Sequence, residues 1–399
     1  MIIKLDMIQS IALGVVVLLV GKFLVDRISI LRKYCLPEPV VGGTLFAILA
    51  LIFKQTGTLE IVLDTTLQDF MMTVFFTSVG FSASFRMLKK GGLKVAIFLG
   101  AAVGLVVLQN VLGVALTKIF DLNPLLGLAT GSIPMTGGHG TSAAFGPDLV
   151  KLGAINANSV ALASATFGLI AGSMIGGPTA NRLISKNTLK TEVSNKLDSG
   201  MEIDERLDDD SQLKEKNFTI ATFELLLAMG IGTIVTKWIQ DAGITLPGYI
   251  GAMLIGAFIR NLSEATGKFD VPMVELDILG GIALSLFLSM ALMGLKLWEL
   301  ADLAVPLIVM LLSQVILTFF YSSYVTFRVL GSDYDAAVIT AGHCGFAMGA
   351  TPNGIANMTS VVGKFGPSPT AFFVMPVVGS LFIDFFNSGV IAFFMNILV

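Results

Sequence analysis

The sequence predicts an all-α polytopic membrane protein, built as two inverted-topology repeats of five transmembrane helices, each with a re-entrant hairpin. Of its 399 residues, 54% are hydrophobic and only 13% are charged, whereas soluble domains carry about 25% charged residues. Apolar stretches recur along the whole chain, and their lengths are close to the roughly 20 residues that a helix needs to cross a bilayer. Similar motifs also occupy matching positions in the two halves. These observations exclude a soluble globular enzyme.

Hydropathy and the positions of glycine and proline predict ten spans. In the first half they cover residues 8–25, 39–53, 67–85, 95–119 and 157–178, and in the second half residues 218–238, 246–260, 274–295, 303–328 and 368–397.

The first stretch lacks a small-residue cleavage site, so we interpret it as a retained span. The sequence has no basic patch with interleaved aromatic residues, which argues against a nucleic-acid partner. Cys35 and Cys344 lack metal-site spacing.

Two further segments, residues 124–147 and 335–361, are apolar overall but rich in glycine, proline, serine, threonine and asparagine. An ordinary lipid-facing helix would not tolerate this composition, because unpaired backbone groups in hydrocarbon cost several kcal/mol each. Irregular backbone at membrane depth persists only inside protein or beside an aqueous cavity. The two segments are therefore predicted to be re-entrant hairpins.

Residues 179–217 are dense in charge and lack apolar periodicity, which indicates a solvated linker. This predicts an N-terminal repeat over 1–178, the linker over 179–217 and a C-terminal repeat over 218–399. With both termini outside, most lysine and arginine residues of the loops fall on the inner side of the membrane, as the positive-inside rule requires. The linker is then cytoplasmic.

Four motif pairs suggest that the two halves are repeats. They are Leu36-Pro37 with Leu246-Pro247, Gln109 with Gln314, His139 with His343, and Gly172-Ser173 with Gly379-Ser380. Each half holds an odd number of spans, so the second half would enter the bilayer in the opposite direction. Inverted repeats of this kind are typical of secondary transporters, which place their site near the midplane.

The two hairpins carry the residues predicted to bind substrate. Glycines let the chain turn tightly and let a ligand approach the backbone, and helix N-termini beside such turns attract carboxylates. The predicted residues are Thr136, Gly137, Gly138, His139, Gly140, Thr141 and Ser142 in the first hairpin, and Gly342, His343, Gly345, Thr351 and Asn353 in the second. The alternative is that these glycines serve only close helix packing.

Asp384 falls midway along the last predicted span, where an unpaired carboxylate is costly and is a functional candidate. No lysine or arginine occurs at a similar depth, so a sodium ion is the predicted counter-charge. Asn387, Ser380 and Asn357 are predicted to complete its oxygen ligands. The alternative is a packing role for a protonated or hydrogen-bonded Asp384.

Other polar residues in the spans leave their roles open. His139 and His343 are either proton relays or hydrogen-bonding struts between glycines. The amides of Gln109, Asn110 and Gln314 bond across helices, bond to the hairpins or contact the substrate. Glu224 lies near the start of its span and is a weaker candidate.

Several stretches resemble the bacterial sodium/glutamate symporter family. They are Pro37–Gly43, Gly137–Thr141, Ser285–Glu299, Ala341–Phe346 and Gly349–Pro352. The resemblance extends over nearly the whole chain outside the linker. It implies a multi-pass protein of the bacterial inner membrane, a two-domain inverted repeat, a homodimer and an elevator-like displacement of one domain.

The resemblance further implies L-glutamate, or its D-enantiomer, as the substrate and Na+ as the coupling ion. In the second hairpin the turn that corresponds to Gly137–Gly140 is expected at Gly342–Gly345, which lacks paired glycines. The two tips are therefore not expected to be equivalent as ligands.

Other functions remain open from the sequence. The nearest is another ion-coupled carrier, either a proton-driven carboxylate transporter or a sodium/proton antiporter. An intramembrane enzyme would use His139 or His343 as a base, but no HExxH or GxSxG motif is present. A passive channel is the remaining alternative.

Overall fold

The structure, a computed structural model, describes residues 2–34, 36–189, 215–244 and 246–399, and these residues are predominantly α-helical. The helices of the first half are α1 (Met7–Arg27), α2 (Ser29–Lys33), α3 (Glu38–Gln55), α4 (Thr66–Ser82), α5 (Phe85–Lys90), α6 (Gly92–Ile119), α7 (Leu125–Ala129), α8 (Gly138–Lys151) and α9 (Ala157–Asn187). Those of the second half are α10 (Glu215–Asp241), α11 (Tyr249–Thr266), α12 (Met273–Met293), α13 (Ala304–Tyr321), α14 (Phe327–Val329), α15 (Tyr334–Phe346), α16 (Thr351–Phe365), α17 (Pro369–Pro376) and α18 (Ile383–Leu398).

Eight helical stretches among the described residues are long and apolar enough to cross a membrane. All ten predicted spans fall on helices. Two of them, over 67–85 and 246–260, form helices that are too short or not apolar enough to be counted among the eight. Helix α4 has 17 residues, and α11 carries Arg260 and Glu264 near its end. The chain is therefore an all-α multi-pass membrane protein, as predicted.

Local sequence explains several helix ends. Helix α1 begins with a capping box, in which the Asp6 carboxylate accepts the Ile8 and Gln9 amides and the Gln9 side chain accepts the Asp6 amide. Helix α11 ends at Gly267, whose φ of 61° suits glycine. One feature was not predicted: the short strands β1 (Ile2–Lys4) and β2 (Glu60–Val62) pair in parallel.

The flanking helices extend into the predicted linker, residues 179–217, from both sides. Helix α9 continues through Pro178 to Asn187, and α10 begins at Glu215. Pro178 does not end the helix, which stops only where Thr188 adopts a left-handed conformation with φ of 50°. Residues 190–214, the middle of the predicted linker, lie outside the described residues.

The helices form two groups, which we call bundle A and bundle B. Bundle A consists of α1, α3, α4, α10, α11 and α12, and bundle B consists of α6–α9 and α13–α18. In bundle A, α4 packs against α11 and α12. In bundle B, α9 packs against α8, α15 and α16. The bundles meet where α4 and α12 approach α8 and the segment that precedes α18.

Bundle B contains every strongly interrupted helix. An irregular stretch, residues 130–137, separates α7 from α8, and residues 347–350 separate α15 from α16. A π-helical segment, Ser322–Thr326, lies between α13 and α14, and a second, Val377–Phe382, lies between α17 and α18. π-Segments within α-helices occur frequently at functional sites.

The break in the second half lies at a different place from the predicted turn. Gly342–Gly345 is part of α15, and the chain leaves helical geometry only after Phe346. Helices α15 and α16 pack antiparallel, and a Cβ at Gly345 would lie 2.6 Å from the Gly354 Cα. The prediction of a turn at Gly342–Gly345 was wrong because these glycines permit helix contact.

Candidate functional site

A cavity of about 320 Å³ lies between the two bundles, within the roughly 300–1,000 Å³ range of small-molecule sites. Bundle B supplies its polar residues and bundle A supplies an apolar wall. The residues that line it are Pro37, Phe75, Val79, Thr136, Gly137, Gly138, His139, Gly140, Thr141, Leu169, Leu284, Leu288, Phe346, Gly349, Ala350, Thr351, Pro352, Gly379, Ser380 and Asp384.

The tips of the two interrupted segments touch each other in this cavity. Gly138 has a φ of +61°, and a Cβ there would lie 2.7 Å from the Gly349 carbonyl oxygen. A left-handed conformation costs an L-residue roughly 1–2 kcal/mol, so both the backbone and the contact select glycine at position 138. The tips can meet only because neither carries a side chain at this point.

Each tip leads into a helix whose N-terminus faces the cavity. Helix α8 starts at Gly138 after Gly137, and α16 starts at Thr351 after Ala350. Neither N-cap residue supplies a side-chain hydrogen bond. In α16, Pro352 has no N–H and the Asn353 amide donates to the Ala350 carbonyl oxygen at 3.0 Å, so its first turn offers fewer amides than that of α8. Two uncapped N-termini with a positive partial charge form a suitable site for carboxylate groups.

Gln109 of α6 ties the two tips together. Its Nε2 donates to the Ala347 carbonyl oxygen at 2.8 Å, and its Oε1 accepts the Thr136 hydroxyl at 2.8 Å. Gln314 Nε2 in turn donates to the Gln109 carbonyl oxygen at 2.8 Å. The two amides therefore bond across helices and to the tips, which was one of the roles left open for them.

Asp384 brings a carboxylate to the cavity wall beside Ser380. Among the described residues, no side chain forms a hydrogen bond or an ion pair with this carboxylate, and no lysine or arginine lines the cavity. An acidic group in such a place requires a counter-charge or a proton. Hydroxyl and carboxylate oxygens are the ligands that hard cations prefer.

Of the predicted substrate-binding residues, seven line the cavity: Thr136, Gly137, Gly138, His139, Gly140, Thr141 and Thr351. The His139 Nε2 is hydrogen-bonded to the Thr166 hydroxyl at 2.9 Å, which holds its ring against α9. The Thr351 hydroxyl donates to the Gly379 carbonyl oxygen at 2.7 Å. The second tip is thereby fastened to the π-segment that precedes Asp384.

The other predicted substrate residues lie outside the cavity. Ser142 is fully buried, and a Cβ at Gly342 would meet Met358 and Met375. His343 is buried, and its Nδ1 is hydrogen-bonded to the Thr326 hydroxyl at 2.8 Å. Gly345 packs on α16, as described above.

Three predicted asparagines fasten helices to one another. Asn353 Nδ2 donates to the Leu169 carbonyl oxygen at 2.8 Å, and Asn357 Nδ2 donates to that of Gly172 at 2.9 Å, so both hold α16 against α9. Asn387 Nδ2 donates to the Ser132 carbonyl oxygen at 3.3 Å. Of the four predicted sodium ligands, the structure thus brings Asp384 and Ser380 together at the cavity and places Asn357 and Asn387 elsewhere.

Sequence reasoning missed the bundle A wall, which consists of Phe75, Val79, Leu284 and Leu288. These are apolar residues within predicted apolar spans, so the sequence gives no sign that they face a cavity. The weaker candidate Glu224 lies on α10 in bundle A, away from the cavity.

Comparison with known proteins agrees with this architecture. The sequence profile of the sodium/glutamate symporters matches residues 3–367. A sodium/glutamate symporter of Escherichia coli K12 is 40% identical over 395 residues, which cover 98% of both chains, and one of Shigella flexneri gives the same values. One of Haemophilus influenzae is 38% identical over 385 residues, 96% of this chain and 95% of its own. The chain therefore belongs to the sodium/glutamate symporter family.

Proposed function

We propose that the protein takes up glutamate together with sodium across the bacterial inner membrane, by an elevator-like displacement of bundle B along bundle A. The observation that supports this most directly is the meeting of both glycine tips with Asp384 in one cavity between the bundles. The printed names of its relatives, sodium/glutamate symporters, agree with this cargo and coupling ion.

The cavity chemistry suits glutamate. The uncapped N-terminus of α8 offers backbone amides to one carboxylate, that of α16 offers the Thr351 amide to the other, and Thr136 and Thr141 add hydroxyls. Because no lysine or arginine lines the cavity, the binding of an anion next to Asp384 requires a mobile cation. Sodium bound by Asp384 and Ser380 would supply that charge.

The division into bundles supports the inverted repeat. The first half contributes α1, α3 and α4 to bundle A, and the second half contributes α10, α11 and α12. The later helices of each half, α6–α9 and α13–α18, belong to bundle B, and each set includes one interrupted segment. The same proposal treats both interrupted segments as re-entrant hairpins, places both termini outside and the central charged region inside, and assumes a homodimer.

The apolar wall supports movement of one bundle along the other. Phe75, Val79, Leu284 and Leu288 present no hydrogen-bonding groups to the tips. A displacement of bundle B therefore breaks no side-chain hydrogen bonds to this wall. Bundle B should cross only when Asp384 and the substrate are both neutralised, or when all sites are empty, because an uncompensated charge in hydrocarbon is costly.

The direct test is uptake of labelled glutamate into proteoliposomes, with sodium or choline outside at constant pH. The wild-type protein should require sodium, and Asp384→Asn should lose most of the sodium activation. Glu224→Gln neutralises a carboxylate away from the cavity and serves as the matched control, which should retain activation. Unchanged sodium activation in Asp384→Asn would contradict the assigned ion site, and uptake in choline would favour a proton-driven carrier.

A further inference from the structure

Two connections between bundle A and bundle B lie within the described residues. The first, residues 83–91, leads from α4 to α6 and includes the short helix α5. The second, residues 294–303, leads from α12 to α13 and contains a 3₁₀-helical segment, Leu297–Leu303. We call the second connection the strap. A displacement of one bundle along the other moves the two ends of the strap apart or together, because α12 belongs to bundle A and α13 to bundle B.

The strap is fastened to bundle B through Glu299. The Oε2 atom of Glu299 accepts the Ser159 hydroxyl at 2.9 Å, and its carbonyl oxygen accepts Asn156 Nδ2 at 3.4 Å. Both partners lie at the start of α9, and the Glu299 side chain is only 23% exposed. A hydrogen bond to a carboxylate is roughly twice as strong as one between neutral groups. Glu299 therefore anchors the strap to α9.

The strap contacts bundle A through an aromatic ring. Lys54, near the end of α3, places its Nζ 3.7 Å from the centroid of the Trp298 ring. An ammonium group is attracted to the face of an aromatic ring, and tryptophan gives the strongest attraction. Because Lys54 is exposed, the contact changes an equilibrium by only about two- to fivefold. It is the weaker of the two attachments, so a displacement should break it before the bond of Glu299 to Ser159.

The first connection is held to bundle A in a different way. The Ser84 hydroxyl donates to Glu264 Oε2 at 2.6 Å, and the Phe85 amide donates to Asn261 Oδ1 at 2.8 Å. Both acceptors belong to α11 of bundle A. Hydrogen bonds of this length hold their partners in a defined direction. The first connection is therefore fixed to bundle A and is unsuited to follow bundle B.

The same position of α3 and α11 holds a connection in each half of the chain. Lys54 lies 18 residues after Leu36 of the first Leu-Pro pair, and Glu264 lies 18 residues after Leu246 of the second. Glu264 holds its connection by a hydrogen bond, whereas Lys54 lies over the Trp298 ring. The strap thus has the weaker hold on bundle A and the firmer hold on bundle B.

We propose that the contact between Lys54 and Trp298 is a latch, which holds bundle B in the arrangement of this structure and opens when the strap moves away with bundle B. This inference rests on the proposed function, because it requires a displacement of the bundles. In the displaced arrangement Trp298 leaves Lys54, and Glu299 stays bound to α9. Since the contact stabilises only one arrangement, its loss should raise the ratio of displaced to undisplaced protein about two- to fivefold.

Distances between two spin labels on the full-length protein in lipid nanodiscs test this without transport. One label is attached at Ile155→Cys, between α8 and α9 of bundle B, and the other at Trp238→Cys on α10 of bundle A, both at exposed positions. The background carries Cys35→Ser, and Cys344 is buried and protected from labelling. Double electron–electron resonance should then give two distances, one for each arrangement, and their amplitudes give the ratio.

Lys54→Gln and Trp298→Leu should each raise the ratio of displaced to undisplaced protein about two- to fivefold. Trp298→Phe keeps an aromatic face and should raise it less. Lys118→Gln removes an exposed lysine from the end of α6 and is the matched control, which should leave the ratio unchanged. An unchanged ratio in both Lys54→Gln and Trp298→Leu would overturn the inference.

Two further variants separate a latch from general loosening of the strap. The double variant Lys54→Gln/Trp298→Leu should shift the ratio no further than either single variant, because the two side chains share one contact; additive shifts would overturn the inference. Ser159→Ala weakens the anchor in both arrangements and should leave the ratio within about twofold. A shift as large as that of Lys54→Gln would overturn the assignment of the strap to bundle B. A single distance in every variant, with and without sodium and glutamate, would instead contradict the displacement in the proposed function.

Discussion

Bundle A and bundle B differ in how far their buried polar side chains are hydrogen-bonded. In bundle A, Thr77 and Ser78 donate to carbonyl oxygens of their own helix, and Ser289 donates to that of Gly14. Among the described residues, the buried side-chain atoms without a partner lie in bundle B except for those of Glu224, Tyr249 and Arg260. Polar atoms left free are available to ligands. Within the described part of the chain, bundle A therefore supplies the apolar wall, and bundle B holds most of the unpaired buried polar atoms and is the part proposed to bind.

The largest expected effect comes from the place where the two tips of bundle B touch. Gly138→Ala forces a left-handed alanine and places its Cβ against the Gly349 carbonyl oxygen. Since the conformation alone costs roughly 1–2 kcal/mol, glutamate uptake in proteoliposomes should fall at least about tenfold. Gly363→Ala on α16, where no atom lies within 4 Å of the new Cβ, is the control and should transport normally. Equal losses in the two variants would indicate general damage to bundle B.

The next effect concerns Gln109, the residue that joins the tips. Gln109→Leu removes two buried hydrogen bonds, each worth about 1 kcal/mol, so the KM for glutamate should rise about tenfold while protein in the membrane remains constant. Gln68→Leu removes a buried amide from bundle A and should change the KM less than about twofold. A change in KM for Gln68→Leu as large as that for Gln109→Leu would contradict the expected difference between the two bundles.

A smaller effect is expected when the wall of bundle A is made polar. Val79→Thr keeps the shape of the side chain but places a hydroxyl opposite the tips. Desolvation of that hydroxyl, or its bonding to a tip, should slow the maximal uptake rate about threefold without altering sodium activation. Val16→Thr, on an exposed face of α1, should have no effect on the rate. If Val79→Thr changed sodium activation instead, bundle A would take part in ion binding.

The smallest effect is expected for a charge at the edge of the interface. Lys151 of α8 pairs with Asp148 at 2.9 Å and interacts electrostatically with Asp69 of α4, but its side chain is 76% exposed. Exposed ion pairs contribute only about 0–1 kcal/mol and are screened by salt. Lys151→Met should therefore change uptake less than about twofold, and less still at high salt. A salt-independent loss would show that this pair holds the bundles together.

Much of the fold follows from local sequence. Ten apolar stretches become helices because lipid leaves the backbone no alternative partner. The interrupted segments were found because glycine, proline and hydroxyl residues interrupt apolar sequence at two places. Thr136–Thr141 and Asp384 could be named as site residues for the same reason, since polar groups stand out in apolar surroundings.

The remaining features depend on contacts between distant segments. The second break lies at residues 347–350 instead of Gly342–Gly345, because α15 and α16 use those glycines to touch each other. Asn357 and Asn387 were predicted as ion ligands, and only the packed structure places their amides against Gly172 and Ser132. The composition of each segment thus determines that the chain forms membrane helices with two irregular interruptions. Which glycines turn, which amides remain free and which apolar residues line the cavity is decided by tertiary packing, because close approach between helices depends on pairs of residues far apart in the chain.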